Sequence, residues 1–200
     1  MLILVLTVAG IQVVFWMYWL ISAIRFRSTY KRKQSSRTLL PFLLVLILIW
    51  VFIFSQSRYG QMFISVQVRS DLLLQRIVPD GIAPGVLGII VTILGLGFAA
   101  RARIHLGKNW SSRPGIKVDH KLIRTGPYRF VRNPIYTGIL FGYAGTAIVI
   151  GELWAFILIL CVMGGVLMKI RVEEKFLLEE FGEAYVQYRN EVKALIPYLL

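Results

Sequence analysis

Fifteen residues in the second half of the chain, RTGPYRFVRNPIYTG at 124–138, combine three arginines with two tyrosines and two prolines. Arginine donates hydrogen bonds to carboxylates, and aromatic faces attract cations. The prolines stiffen the backbone that carries these groups. Two adjacent acids, Glu173 and Glu174, follow farther along the chain. Donors, aromatic faces and acids are the groups that a binding site for a charged small molecule needs.

The composition places these residues in a membrane protein. The chain has 200 residues, of which 57% are hydrophobic and 16% charged, with a formal net charge of +13. Long apolar runs with so few charges favour a membrane chain of one domain over a soluble one. The basic excess lies beside the apolar runs, which favours contact with anionic lipid over nucleic acid. A single cysteine, Cys161, excludes a disulfide framework and a cysteine-based zinc site, and no metal site is predicted.

Five apolar segments are predicted to be membrane spans. They are residues 1–24, Leu39–Phe54, Ile82–Ala100, Pro134–Ile150 and Leu153–Met168. The first is interpreted as a retained span, because its basic cluster follows the apolar run instead of preceding it as in a signal peptide. The last two are short for independent spans. Because only Gly151 and Glu152 join them, we expect a helical hairpin, which either crosses the membrane fully or returns within it.

The basic loops predict the orientation. The segment 25–37 holds six basic residues and no acid, and the segment 101–133 holds nine basic residues against Asp119. Lysine- and arginine-rich loops stay in the cytoplasm. Five spans with the amino terminus outside put both segments and the carboxyl-terminal tail on that side.

The tail is predicted to form a helix from Met168 to Val192. One stripe carries apolar or aromatic residues at helical spacing, and the remaining surface carries six glutamates. The stripe consists of Leu177, Phe181, Tyr185, Tyr188 and Val192. We expect this helix to lie along the cytoplasmic rim, with Gly182 as a kink or a point of close packing.

Two glycine patterns are interpreted as membrane packing features. Gly95-Leu-Gly97 imitates a dinucleotide-binding fingerprint, but it ends a membrane span and no strand precedes it. Gly138 and Gly142, four residues apart, predict a helix face that packs closely against a neighbour.

The connector between spans three and four is long enough to be functional. It contains both histidines, His105 and His120. Gly126-Pro127 predicts a sharp turn, and Asn133-Pro134 predicts the start of span four with proline in the first helical turn.

Four stretches in the second half of the chain carry a family resemblance. They are LGKNWS, HKLIRTGPYRFVRNPIYTG, RVEEKFLLEEFGEAYVQY and the closing LIP. Their order and spacing over residues 103–198 resemble the isoprenylcysteine carboxyl methyltransferases in their short prokaryotic form. The related phospholipid N-methyltransferases share part of the pattern. The resemblance implies an integral membrane enzyme that uses S-adenosylmethionine to methylate a lipid-bearing substrate.

Under this resemblance the fold class is an all-α integral membrane protein of about five transmembrane helices. The chain 1–200 would be one membrane methyltransferase domain. Residues 1–100 would supply three spans, and residues 101–200 the cofactor-binding and catalytic part. The cofactor pocket would lie between the 101–133 connector and the carboxyl-terminal helix, on the cytoplasmic side of a prokaryotic cell membrane.

The resemblance also implies roles for individual residues. Cofactor contacts would come from His120, Lys121, Leu122, Ile123, Tyr128, Asn133, Pro134, Ile135, Tyr136, Glu173 and Glu174. Substrate-side cations would be Arg132, Lys169 and Arg171. Asn133 stands where the eukaryotic pattern has histidine, so no acid–base role is expected there. Lys169 stands where the family has arginine, so the bidentate fork is lost.

The spatial hypothesis is that the hairpin returns the chain to one membrane face and brings Glu173 near Arg132, Tyr128 and Tyr136. An ionised carboxylate acceptor needs no general base, so positioning would supply the catalysis. The predicted partners are a lipophilic or prenylated acceptor and membrane lipid, with no nucleic acid and no obligate protein partner. Two alternatives remain open: N-methylation of a lipid amine, and a non-enzymatic protein whose basic loop binds anionic lipid.

Overall fold

The computed structural model describes residues 1–25, 75–107 and 122–197, and these residues are almost entirely helical. The helices are α1 Leu2–Arg25, α2 Ile82–Leu106, α3 Pro134–Ile150, α4 Leu153–Phe181 and α5 Glu183–Glu191, with a short 3-10 helix at Gly126–Arg129. Helices α1, α2 and α4 are long and apolar enough to cross a membrane, and α3 is a shorter apolar helix. The predicted all-α membrane fold is confirmed. The predicted span Leu39–Phe54 lies outside the described residues.

Helix α4 extends beyond the predicted end of the fifth span at Met168. Helix α4 continues without a break to Phe181 and has 29 residues. The stretch 168–181 contains neither glycine nor proline, so nothing interrupts the backbone hydrogen bonds where the sequence changes from apolar to charged. One continuous helix therefore joins the membrane span to the first part of the predicted tail helix. Helix α2 likewise continues past the predicted end at Ala100 to Leu106.

Helices α2 and α3 are packed backbone to backbone along a row of glycines, which we call the glycine seam. It consists of Gly88, Gly95, Gly138, Gly142 and Gly145. A Cβ built on Gly138 would lie 2.5 Å from the Gly95 carbonyl oxygen, and one on Gly145 would lie 2.5 Å from the Gly88 carbonyl oxygen. Side chains at these positions would force the helices apart, since small residues permit such close approach. The packing role predicted for Gly138 and Gly142 is confirmed.

The turn between α3 and α4 is clamped by the segment that precedes α2. Gly151 makes the turn with φ 75°, a left-handed conformation that glycine adopts readily. Its carbonyl accepts a hydrogen bond of 2.8 Å from the Ile77 amide, and the Leu153 amide donates to the Gln75 carbonyl at 2.9 Å. The Arg76 guanidinium donates to the Ile150 carbonyl at 3.0 Å. The predicted tight hairpin turn is confirmed, and the clamp holds its position against α2.

Gly182 separates α4 from α5. Its φ is 49°, and a Cβ built there would meet nothing within 4 Å. The glycine therefore serves to redirect the chain and not to allow close packing. The predicted stripe is divided between the two helices, and its members Tyr185 and Tyr188 become buried in α5.

We predict that Gly95→Ala destabilises the protein and that Gly97→Ala does not. An added Cβ at Gly95 would lie 2.5 Å from the Gly142 nitrogen and 2.8 Å from the Gly138 oxygen, whereas Gly97 has nothing within 4 Å. Overpacking of this kind costs about 1–3 kcal/mol, and alanine at an open helical position is neutral or favourable. Thermal unfolding in detergent measures both variants. Equal midpoints for the two variants would contradict the close packing of the glycine seam.

Candidate active site

The last part of the connector forms a turn that rests on the end of α2. Gly126 starts the 3-10 helix with φ 61°, and a Cβ there would lie 2.7–2.9 Å from three atoms of the His105 ring. The same ring stacks on Tyr128 with centroids 6.4 Å apart, and its Nε2 lies 2.9 Å from the Thr125 hydroxyl. The sharp turn predicted at Gly126-Pro127 is confirmed, and His105 holds it in place.

Tyr128 anchors this turn in the protein core. Its side chain is buried and belongs to an apolar cluster with Ala99, Ala102 and Ile135. Burial raises the pKa of its phenol well above the ordinary value, with a further contribution from the nearby Tyr188. The Tyr128 side chain is therefore neutral and serves as an apolar wall with one polar tip.

Helix α5 is fastened to the connector by Tyr188. The Tyr188 hydroxyl donates a 2.6 Å hydrogen bond to the Tyr128 carbonyl oxygen. The Arg124 guanidinium lies 5.2 Å above the Tyr188 ring and pairs with the Glu191 carboxylate. Burial raises the pKa of Tyr188 to about 12, so the phenol keeps the proton that this hydrogen bond requires.

At the centre of the site a phenol and an ammonium meet around one carboxylate. The Tyr136 hydroxyl lies 2.9 Å and 3.1 Å from the two carboxylate oxygens of Glu173 and donates to them. The Lys169 ammonium lies 2.9 Å from Glu173 Oε1. Tyr136 comes from the first turn of α3, and Lys169 and Glu173 lie one turn apart on α4. We call Tyr136, Lys169 and Glu173 the carboxylate cluster.

Beside this cluster, Arg132 pairs with the second acid. Its Nε and Nη2 donate to Glu174 Oε1 at 3.0 Å and 2.8 Å. Its Nη1 donates to the Arg189 carbonyl at 3.0 Å and to the Val192 carbonyl. The side chains of Arg132 and Glu174 are only 10% and 17% exposed. A single guanidinium thus joins the connector, α4 and the end of α5.

The segment after α5 lies against the start of α3. The Arg132 and Asn133 amides donate to the Lys193 and Ala194 carbonyls at 2.8 Å and 3.0 Å. The Asn133 side-chain amide also donates to Ala194, at 3.2 Å, and the Thr137 hydroxyl donates to the Leu195 carbonyl at 2.8 Å. The Asn133 amide is therefore engaged in fastening the chain end.

The structure brings some of the predicted residues together and separates others. Glu173 contacts Tyr136 as predicted, while Arg132 contacts Glu174 instead of Glu173. Arg171 is exposed, and it lies about 200° around α4 from both Lys169 and Glu173 because successive residues are about 100° apart. The structure therefore separates Arg171 from the carboxylate cluster.

The apolar members of the predicted site differ in burial. Pro134 and Ile135 are buried, and Leu122 and Ile123 are half-buried. Ile123 packs against the same apolar cluster as Tyr128 and Ile135. His120 and Lys121 lie outside the described residues.

Sequence reasoning missed two sets of contacts at this site. One is the stacking of His105 on Tyr128, which has no signal in residue spacing. The carbonyls of residues 192–195 are acceptors for Arg132, Asn133 and Thr137. Such backbone acceptors carry no residue-type signal. Within the described ranges, no group of three or more histidines, cysteines or acids could hold a metal ion.

The chain is similar to known methyltransferases. A family model described as phospholipid methyltransferase matches residues 84–184. A protein-S-isoprenylcysteine O-methyltransferase of Saccharomyces cerevisiae is 32% identical over 117 residues, which are 57% of this chain and 49% of the relative. One of Schizosaccharomyces pombe is 32% identical over 107 residues, 52% of this chain and 45% of the relative. The chain thus spans about half the length of these two relatives.

A solved structure shares the fold. It is the eukaryotic intramembrane Ras methyltransferase ICMT (isoprenylcysteine carboxyl methyltransferase), with a TM-score of 0.56 and 24% sequence identity. The match covers 84% of this chain and 55% of that one. Together with the three apolar helices, this likeness identifies the chain as an integral membrane protein.

We predict that Tyr188→Phe lowers the stability of the folded protein and makes that stability less sensitive to alkaline pH. The change leaves the Tyr128 carbonyl without its donor, which costs about 1–2 kcal/mol. Folded Tyr188 has a pKa of about 12, whereas the unfolded phenol ionises near about 10. Its contribution is therefore complete below the unfolded pKa and is lost as pH rises through the folded pKa. Thermal midpoints at neutral and alkaline pH measure both effects, and identical values for variant and parent would contradict the prediction.

Proposed function

Because this chain belongs to the phospholipid methyltransferase family, we propose that it is a membrane methyltransferase that uses S-adenosylmethionine. The acceptor we propose is the carboxylate of a lipophilic, isoprenylcysteine-like molecule. The observation that carries this proposal is the carboxylate cluster, in which α3 and α4 hold an acid, a phenol and a cation within hydrogen-bonding distance.

The chemistry of the carboxylate cluster fits this cofactor. S-adenosylmethionine presents an amine, ribose hydroxyls, a sulfonium and an adenine. The Glu173 carboxylate can accept hydrogen bonds from the amine or the hydroxyls, and the Tyr136 hydroxyl holds that carboxylate in place. The rings of Tyr136 and Tyr128 offer faces for the sulfonium or the base. Asn133 and Arg132 are assigned to the support of this site, since the Asn133 side-chain amide donates to the Ala194 carbonyl and four of the five Arg132 donors bind the chain's own groups.

Lys169 is the proposed contact for the acceptor. Its side chain is 22% exposed and its ammonium lies 2.9 Å from Glu173, so an anionic acceptor held by Lys169 would lie beside a cofactor held by Glu173. Lysine provides a point charge without the planar fork of arginine, so it attracts a carboxylate but fixes its orientation less strictly. Arg171, on the far side of α4, is not part of this proposal.

In this mechanism the residues of the chain position the cofactor and the acceptor, and none of them transfers a proton. When bound, the cofactor supplies a methyl group on a positively charged sulfur. A carboxylate acceptor is already ionised near neutral pH, so no residue has to remove a proton. Lys169 and Glu173 orient the two charged groups, and the buried walls formed by Tyr128 and Ile135 limit access of water.

An amine acceptor, as in phospholipid N-methylation, is the second candidate. An amine must lose a proton, so it needs a base. The two acids of the site already accept hydrogen bonds, Glu173 from Tyr136 and Glu174 from Arg132. This arrangement favours the carboxylate acceptor.

We predict that Glu173→Gln and Tyr136→Phe each weaken the binding of S-adenosylhomocysteine. Loss of a charge-assisted hydrogen bond costs about 1.5–3 kcal/mol, which corresponds to roughly 10- to 100-fold in the dissociation constant. Titration calorimetry in detergent measures the effect. Glu179→Gln is the matched control, because Glu179 is an exposed glutamate of the same helix. A folded protein without saturable binding would favour a non-enzymatic, lipid-binding role.

A radiolabelled methyl-transfer assay with a farnesyl-cysteine analogue and phosphatidylethanolamine separates the two acceptor classes. We expect label in the farnesyl-cysteine ester and its loss in Lys169→Met. Label in phosphatidylethanolamine alone would overturn the carboxylate proposal.

A further inference from the structure

We propose that Arg132 and Glu174 form a positioning pair that sets the rotation of α4 and thereby directs Glu173 toward Tyr136. This inference rests on the proposed function and assigns two residues of the site to support, so that neither contacts the reacting molecules. Glu174 and Arg132 are instead what holds the carboxylate cluster in register.

The first support is that the donors of Arg132 are already used. The guanidinium makes four hydrogen bonds, two to Glu174 and one each to the Arg189 and Val192 carbonyls. Arginine has five N–H donors in total, so these contacts use four of them. A bidentate contact with a substrate carboxylate would require Arg132 to release Glu174 or the end of α5.

The second support is helical geometry. Glu173 and Glu174 are adjacent on α4, so their side chains point about 100° apart around the helix axis. Glu174 is held by Arg132, and Glu173 by Tyr136, which lies four residues after Arg132 at the start of α3. Two contacts at different angles between α4 and the short segment 132–136 fix the rotation of α4 against that segment. Each contact therefore depends on the other.

The third support is that the pair also holds the end of α5. The Arg132 Nη1 hydrogen bonds satisfy carbonyls of the last turn of α5 and of the residue after it, where unpaired acceptors and the helix dipole favour a cation. Tyr185 packs nearby with 2% exposure, and the Glu174 carboxylate contributes to raising the pKa of Tyr185, after burial. Removal of the guanidinium would release α4 and α5 together.

The test is a double-mutant cycle with Arg132→Lys, Glu174→Gln and both together, read by the dissociation constant of S-adenosylhomocysteine. We expect each single variant to weaken binding about tenfold and the double variant to be no worse than about tenfold, because coupled residues are not additive. The Michaelis constant for the acceptor should stay within about twofold, since positioning acts on the cofactor side. Arg129→Lys and Glu179→Gln are the matched controls, both being exposed.

Two outcomes would overturn this proposal. One is additive weakening of cofactor binding, about a hundredfold in the double variant. The other is a raised Michaelis constant for the acceptor in Arg132→Lys with unchanged cofactor binding. The latter would assign Arg132 to direct contact with the acceptor. Absence of cofactor binding in the unmodified chain would instead overturn the proposed function.

A second cycle tests the pair without any cofactor. The stability coupling between Tyr136→Phe and Glu173→Gln is measured by unfolding in detergent, first in the parent chain and then with Arg132→Lys present. We expect the coupling to fall at least about twofold in the Arg132→Lys background, because α4 is no longer held in register. An unchanged coupling would show that Arg132 does not position Glu173.

Discussion

The close approach of α2 and α3 is the constraint on which the rest of the structure depends. The glycine seam lets the two backbones meet at distances that any side chain would prevent. Membrane helices gain little from the hydrophobic effect between them, so close van der Waals packing has to hold them together. With α3 fixed on α2, the start of α3 is fixed beside the end of α2. This is where the turn carrying Tyr128 rests on His105.

The return of α4 then brings acids to this end of the molecule. Adjacent acids take different partners: Glu173 meets a phenol and an ammonium, whereas Glu174 meets a guanidinium. The two environments differ in how accessible their charged side chains are to a bound molecule. Glu173 and Lys169 are each more than a fifth exposed, while Arg132 is largely buried and four of its five N–H donors bind groups of the chain itself. Proximity to the proposed site is therefore not evidence of contact with the substrate.

The sequence predicted the helical membrane class, the bounds of α3, the turn at Gly151 and the contact of Glu173 with Tyr136. These features follow from local rules: apolar length, proline in a first turn, glycine in a turn, and the return of a hairpin to its starting side. The sequence did not predict that the fifth span and the tail form one helix, because a change from apolar to charged residues at Met168 resembles a boundary although nothing stops the helix. Whether Arg132 pairs with Glu173 or with Glu174 depends on how α4 is rotated about its axis, since the two side chains point about 100° apart. Residue spacing across a hairpin cannot supply that angle.

The clamp at the α3–α4 turn sets a rule for how this hairpin can change length. Arg76 and its neighbours hold Ile150, Gly151 and Leu153 by backbone atoms, so the turn has little freedom to absorb an added residue. One residue inserted within either arm would turn everything beyond it by about 100°. The hairpin should therefore tolerate insertions only in multiples close to whole helical turns, such as seven residues. Homologous chains that vary in length here are then expected to differ by such phase-preserving steps.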